Sequence, residues 1–152
     1  MLNAAVREDI QNSVLCWLAT VSADGQPNVS PKEIFCDHGD DTLLIAEIAS
    51  PKSVKNLAAN PRVCVSLVDV FRQKGFKLLG QARLVLPDAL EFQALGARLL
   101  AMAGPDFPVR GIIAVKIDKI ERIWAPSYAL FPDRTVETQT ENGYKSYGVR
   151  PV

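Results

Sequence analysis

Asp24-Gly25 stands between two runs of strand-forming residues, Val14 to Val21 and Gln26 to Cys36. A tight hairpin turn needs positive φ at its centre, which this dipeptide tolerates, so the pair commits the chain to antiparallel pairing early. Asp37-His38-Gly39-Asp40-Asp41 is the next polar turn, and Thr42 to Glu47 follows as a third strand in meander order. Arg62 to Val70 and Phe76 to Leu86 read as the fourth and fifth strands, joined by Arg72-Gln73-Lys74-Gly75, and Ile112 to Trp124 as the sixth. In the sixth, Ile113, Val115 and Ile117 alternate with Ala114, Lys116 and Asp118, the pattern of one buried and one partly wet face. Six strands in hairpin order predict a mainly β fold, an antiparallel sheet closed into a small barrel so that no edge stays exposed.

Helical patterns interrupt the strands. A short amphipathic helix is expected over Ala4 to Asn12. Pro87-Asp88 opens a longer one through Ala103, with Phe92, Leu95, Leu99 and Met102 at helical spacing and Gly104-Pro105 as its stop. Beyond Pro126 the composition turns to Pro, Thr, Glu, Gln, Asn and Gly. The expectation is therefore one barrel domain over residues 1–128 and an extended or partly disordered tail over residues 129–152, unless a partner pins it.

The segment Ile45 to Val68 reads as strand, short helix, strand. Ser50 is placed to cap the helix, Pro51 suits its first position, and Val54, Leu57 and Ala58 form an apolar face that ends before Asn60-Pro61. Lys52 and Ser53 then fall in the first turn. A lysine there opposes the helix dipole, and an external anion held between it and the free backbone N–H groups would explain its presence.

Other chemistry is thinly represented. With 17 basic and 17 acidic residues the net charge is zero, so no overall field draws the chain to nucleic acid or anionic lipid. No apolar run approaches the length of a membrane span, and Arg7, Glu8 and Asp9 break the stretch a signal peptide would need, so a cytoplasmic protein is expected. Cys16, Cys36 and Cys64 are too scattered for a disulfide framework and read as reduced core residues. His38 is the single histidine and lies in a polar turn, which leaves no multi-histidine metal site and no credible catalytic triad. Phosphate-loop, dinucleotide-fold and serine-hydrolase motifs are absent. So few acids, bases and nucleophiles suit a protein whose bound cofactor supplies the reactivity.

Taken in order, LATVSADGQPNVSP, DDTLLIAE, SPKSVKNLAANPRVCVSL and KLLGQARLV resemble the pyridoxamine 5′-phosphate oxidase-like family of FMN-binding split-barrel proteins, over roughly Ser13 to Tyr128. The resemblance implies a six-stranded split β-barrel with one short and one longer helix. It places the flavin phosphate at Lys52 and Ser53, with Lys55 one turn on as a weaker candidate. It sets Val29, Ser30, Pro31 and Lys32 along the isoalloxazine ring, with Ser30 and Lys32 at its polar edge, and makes Gln81 a donor to ring or ribityl oxygens. Family members are typically homodimers with two interfacial flavins, which implies that Trp124, Ser127 and Tyr128 complete the neighbour's pocket.

The departures narrow the function. Enzymes that make pyridoxal phosphate carry a carboxy-terminal Arg-x-His element and an arginine-rich third strand. Here no histidine follows His38, and Leu43, Leu44 and Ile45 occupy that strand, which argues against genuine pyridoxamine phosphate oxidation. The expectation is an FMN-binding oxidoreductase passing hydride between flavin and a small organic substrate or NAD(P)H. The alternatives are a non-catalytic flavin module for storage, sensing or electron transfer, and a split barrel that holds a deazaflavin or haem.

Overall fold

The computed structural model describes residues Met1 to Pro151; Val152, the last residue of the expected tail, lies outside the described residues. Among the described residues seven strands form one sheet: β1 (Cys16–Val21), β2 (Pro27–Lys32), β3 (Phe35–His38), β4 (Thr42–Glu47), β5 (Arg62–Asp69), β6 (Lys74–Val85) and β7 (Gly111–Trp124). Their order is β2-β1-β5-β6-β7-β4-β3, with every neighbouring pair antiparallel. The edge strands β2 and β3 are separated in sequence only by Glu33-Ile34, so the sheet must curl to bring its two ends together. The result is a half-barrel, mainly β with flanking helices. The strand count is seven because the expected second strand, Gln26 to Cys36, breaks at Glu33-Ile34: β2 pairs with β1, while β3 crosses over to β4.

Among the described residues five helices accompany the sheet: α1 (Ala4–Asn12), α2 (Pro51–Ala59), α3 (Phe92–Ala103), α4 (Ser127–Leu130) and α5 (Val136–Tyr147). Asn3 caps α1, its side chain accepting from the Val6 N–H at 3.1 Å. Val6 and Ile10 of α1 join Leu18, Phe35, Ile45, Val65, Leu78 and Val115 in the core enclosed by the sheet, and Leu57 of α2 enters the same core beside Val63. The two helices therefore close opposite ends of the barrel. On the outside of β3, β4 and β7, Phe92 and Leu99 of α3 cover a second core with Leu44, Ala46, Ile112 and Ala114. That cover explains the unbroken apolar runs in β4 and at the start of β7. Both faces are dry there, and the alternation expected of Ile112 to Trp124 begins only at Lys116. The longer helix starts at Phe92 rather than Pro87, after a turn whose Glu91 pairs with Arg83 of β6 at 2.7 Å.

A register shift between Leu79 and Gly80 lets the long β6 bend along β7. The backbones approach so closely that a Cβ on Gly80 would stand 2.0 Å from the Lys116 carbonyl oxygen.

The expected extended tail is instead largely helical. Thr135 caps α5 through a bond from the Thr138 N–H (3.2 Å), and Gly148 ends it with φ 65°. Its packing surface is the β5–β6 turn. Tyr144 lies 4.8 Å from Phe71 between ring centroids, and Gln139 donates to the Gln73 side chain at 2.6 Å. Ahead of it, the Tyr128 hydroxyl donates to the Arg72 carbonyl at 2.6 Å.

Candidate functional site

Inward-facing residues of β1 and β2 meet the start of α2 in a layer of polar side chains. Register sets Thr20 opposite Asn28 and Leu18 opposite Ser30, with Cys16 opposite Lys32, all on the inner face. Against them α2 turns Ser53, Asn56 and Leu57. Ser53, only 1 % exposed, lies 3.0 Å from the Ser30 hydroxyl and accepts from the Asn28 amide at 3.3 Å. Thr20 accepts from both Asn28 (3.2 Å) and Asn56 (3.0 Å). The buried face of this helix is therefore largely polar, where Val54, Leu57 and Ala58 were expected to form an apolar one; Ala58 is exposed. Buried amides are tolerated because each finds an acceptor. Thr20→Val removes the acceptor that two amides share and is expected to cost about 1–3 kcal/mol in urea unfolding.

Immediately before α2 lies a second polar group. Lys32 and Glu47 form an ion pair at 3.0 Å with side chains 7 % and 8 % exposed. Ser50 does not cap the helix with its side chain, as its position suggested. It donates its backbone N–H to Glu47 Oε1 at 2.6 Å and its hydroxyl to Glu47 Oε2, while that hydroxyl accepts from Lys32 Nζ. Burial pushes the Glu47 carboxyl up, but the Ser50 hydroxyl and N–H and the Lys32 ammonium outweigh it and hold the group below its ordinary range. The stability carried by this carboxylate is fully present above its unfolded value, near 4.5, and is lost as pH falls through the lower folded value. Acid titration of unfolding is expected to show a stability loss below about pH 4.5 that is smaller in Glu47→Gln.

Ser30, Lys32 and Ser50 of these groups border a cleft of about 710 Å³. Ser30, Pro31, Lys32 and Ser50 lie on one side; Ile34, Ala46, Ile48 and, from the end of α3 and beyond, Met102 and Phe107 supply apolar walls. Of the residues singled out in the sequence, Ser30, Pro31 and Lys32 line this cleft, and Ser53 stands behind it, bonded to Ser30. Lys52 and Lys55 are exposed on α2. Val29 is 57 % exposed on the outer face of the sheet, where register aligns it with Ala19, Cys64 and Leu79. Pro31 shares that face with Trp17 and Ser66. Gln81 is also on the outer face and borders a second cleft of about 670 Å³ with His38, Thr42 and Lys116.

Trp124 and Tyr128 sit elsewhere. Trp124 pairs with Lys74, seven residues along β6 from Gln81, or roughly 23 Å at the rise of a strand. Their rings are 5.9 Å apart, and the Lys74 ammonium stands 5.0 Å from Trp124 and 4.1 Å from Tyr128. Neither Trp124 nor Tyr128 lines either cleft. Ser127 is next to them, its hydroxyl buried without a partner among the described residues.

Glu47, Asn28 and Thr20 were not singled out in the sequence, and Ser50 stood out there only as a helix cap. A strand-end glutamate three residues before a serine carries no motif, and its partner Lys32 is fifteen residues away. Met102 was legible only as part of a helix's apolar spacing, and Phe107 was not singled out. The three cysteines are unpaired, and burial pushes the Cys16 thiol up to about 12, which makes it inert.

A search of curated proteins finds no match. Solved structures share the fold. HupZ from Group A Streptococcus is 24 % identical, with 82 % of this chain and 96 % of that chain covered at a TM-score of 0.71. An FMN-binding protein from Syntrophomonas wolfei subsp. wolfei is 21 % identical, covering 79 % of this chain and 84 % of that one at 0.68. An F420 reductase is 22 % identical, covering 78 % and 98 % at 0.56. The family model described as pyridoxamine 5′-phosphate oxidase matches residues 2–124, the whole barrel from α1 to the end of β7, and the chain belongs to that family.

Proposed function

We propose that the chain is an FMN-dependent oxidoreductase, with the flavin ring in the cleft beside Ser30, Pro31 and Lys32 and the phosphate at the start of α2. The observation that carries this reading is the juxtaposition of the two. A mostly apolar cleft of about 710 Å³, the size of cofactor pockets in general, ends at Ser50, where α2 begins. The first turn of that helix contains no acidic residue, has Pro51 at its start and carries Lys52, so an incoming phosphate meets backbone N–H groups without intrahelical partners and an exposed ammonium. Lys55, one turn further, adds a second exposed cation. The residues present therefore suit a phosphorylated planar cofactor.

A second copy of the chain completes the picture. Among the described residues no helix covers the outer face of β2 and β1, where Trp17 is 45 % and Val29 57 % exposed. A homodimer formed through that face brings Val29, Pro31 and Gln81 into the interface. Trp124 and Tyr128 then serve the partner's cleft rather than their own.

Bound flavin supplies the redox chemistry, exchanging hydride with a small organic substrate or a nicotinamide. The chain's residues bind and orient: Lys52 holds the phosphate, Ser53, itself held by the Asn28 amide, fixes the hydroxyl of Ser30, and Ile34, Ile48 and Phe107 exclude water from the ring. Anaerobic mixing of the FMN-loaded protein with NADH and NADPH tests the enzyme reading, which expects rapid bleaching. A flavin that responds only to dithionite favours the storage or electron-transfer module suggested by the few acids and bases at the cleft. Mass spectrometry of the released ligand distinguishes FMN from a deazaflavin or haem.

A further inference from the structure

Lys32–Glu47 is the one ion pair among the described residues whose two side chains are both more than nine-tenths buried. Neutral replacement of such a pair is often harmless to stability, so the fold itself does not require two charges here. Their hydrogen bonds are unequal. Both carboxylate oxygens of Glu47 are engaged, accepting from the Ser50 N–H, the Ser50 hydroxyl and the Lys32 ammonium. An ammonium has three N–H donors. Those of Lys32 find Glu47 Oε2 and Ser50 Oγ, and the third has no acceptor among the described residues. Lys32 lines the cleft and Glu47 does not, so an occupant meets the positive end of the pair.

We infer that Lys32 donates its remaining N–H to an acceptor atom on the cofactor ring, and that Glu47, acting with Ser50, is the positioning residue that aims this donor and offsets its charge. The pair thereby sets how readily a bound ring accepts electrons. The inference rests on the flavin reading above. Reduction by dithionite, itself oxidised to sulfite, adds two electrons and one proton to the flavin and leaves it with one negative charge. Positive potential at the cleft favours that form, and uncompensated negative potential disfavours it.

The test is spectroelectrochemistry of FMN-loaded wild type, Glu47→Gln, Glu47→Asp and Lys32→Gln, with dithionite as reductant. Glu47→Gln is expected to raise the midpoint, by at least a tenfold change in the reduced-to-oxidised ratio at fixed potential, about 30 mV for a two-electron couple. Lys32→Gln is expected to lower it by a similar factor, and Glu47→Asp to return it towards wild type. A role confined to holding the fold predicts no opposed shifts. Shifts of the same sign, or ratios unchanged within about twofold, overturn the inference while leaving the flavin reading intact. Wild-type protein that binds no flavin overturns both. Should Lys32→Gln not fold, the contrast between Glu47→Gln and Glu47→Asp decides alone: a raised midpoint in the first that the second reverses supports the inference, and equal midpoints overturn it.

Discussion

Lys32→Met is expected to destabilise the fold by about 3–5 kcal/mol, against roughly 5–15 kcal/mol for a domain of ordinary stability. The cause is not the loss of one attraction. Removing the ammonium leaves the Glu47 carboxylate more than nine-tenths buried, with only the two Ser50 donors. Those donors place the cost towards the lower end of the range. The double variant Lys32→Met/Glu47→Gln removes both charges and is expected to recover most of the loss, because a neutral amide needs far less solvation than a carboxylate. Urea unfolding of wild type, both single variants and the double variant measures the coupling directly. Additive losses would show that the two residues act independently.

Lys52→Ala is expected to weaken FMN binding by about 1.5–3 kcal/mol, roughly 10- to 150-fold in Kd. The side chain stands in solvent on the first turn of α2 and has no partner among the described residues, so its removal leaves the fold intact and isolates the ligand effect. Phosphate covering the ammonium strengthens the contact; salt and residual solvent weaken it, which favours the lower figure. Lys55→Ala, one turn further from the amino end, is expected to show a smaller change. Fluorescence quenching of FMN measures both. A Lys52→Ala protein with unaltered affinity would move the phosphate away from α2.

The barrel was legible where local pattern carries the information. Asp24-Gly25 marks the first hairpin, and Arg62 to Asp69 alternates because one side of β5 faces the core. The break at Glu33-Ile34 was not legible. Nothing local tells β3 to leave β2 for β4; the curl of the whole sheet does. Helix α5 was hidden for a related reason. Val136 to Tyr147 has no apolar stripe, and its anchor is the long-range contact of Tyr144 and Gln139 with the Phe71–Gln73 turn. At the site, Lys52 and Ser53 stood out through their position in a short helix. Glu47 did not, since the feature that gives it meaning is a lysine on another strand. Gln81 and Val29 were placed along the chain but not onto a face: strand register alone puts them outside the barrel.

Parallel titration of the purified protein with FMN and with riboflavin tests most directly whether the start of α2 holds a phosphate beside a ring-binding cleft. FMN is expected to bind tighter than riboflavin by roughly 10- to 150-fold, a preference that shrinks in Lys52→Ala. Equal affinity for the two flavins, or a protein that retains neither, would contradict it.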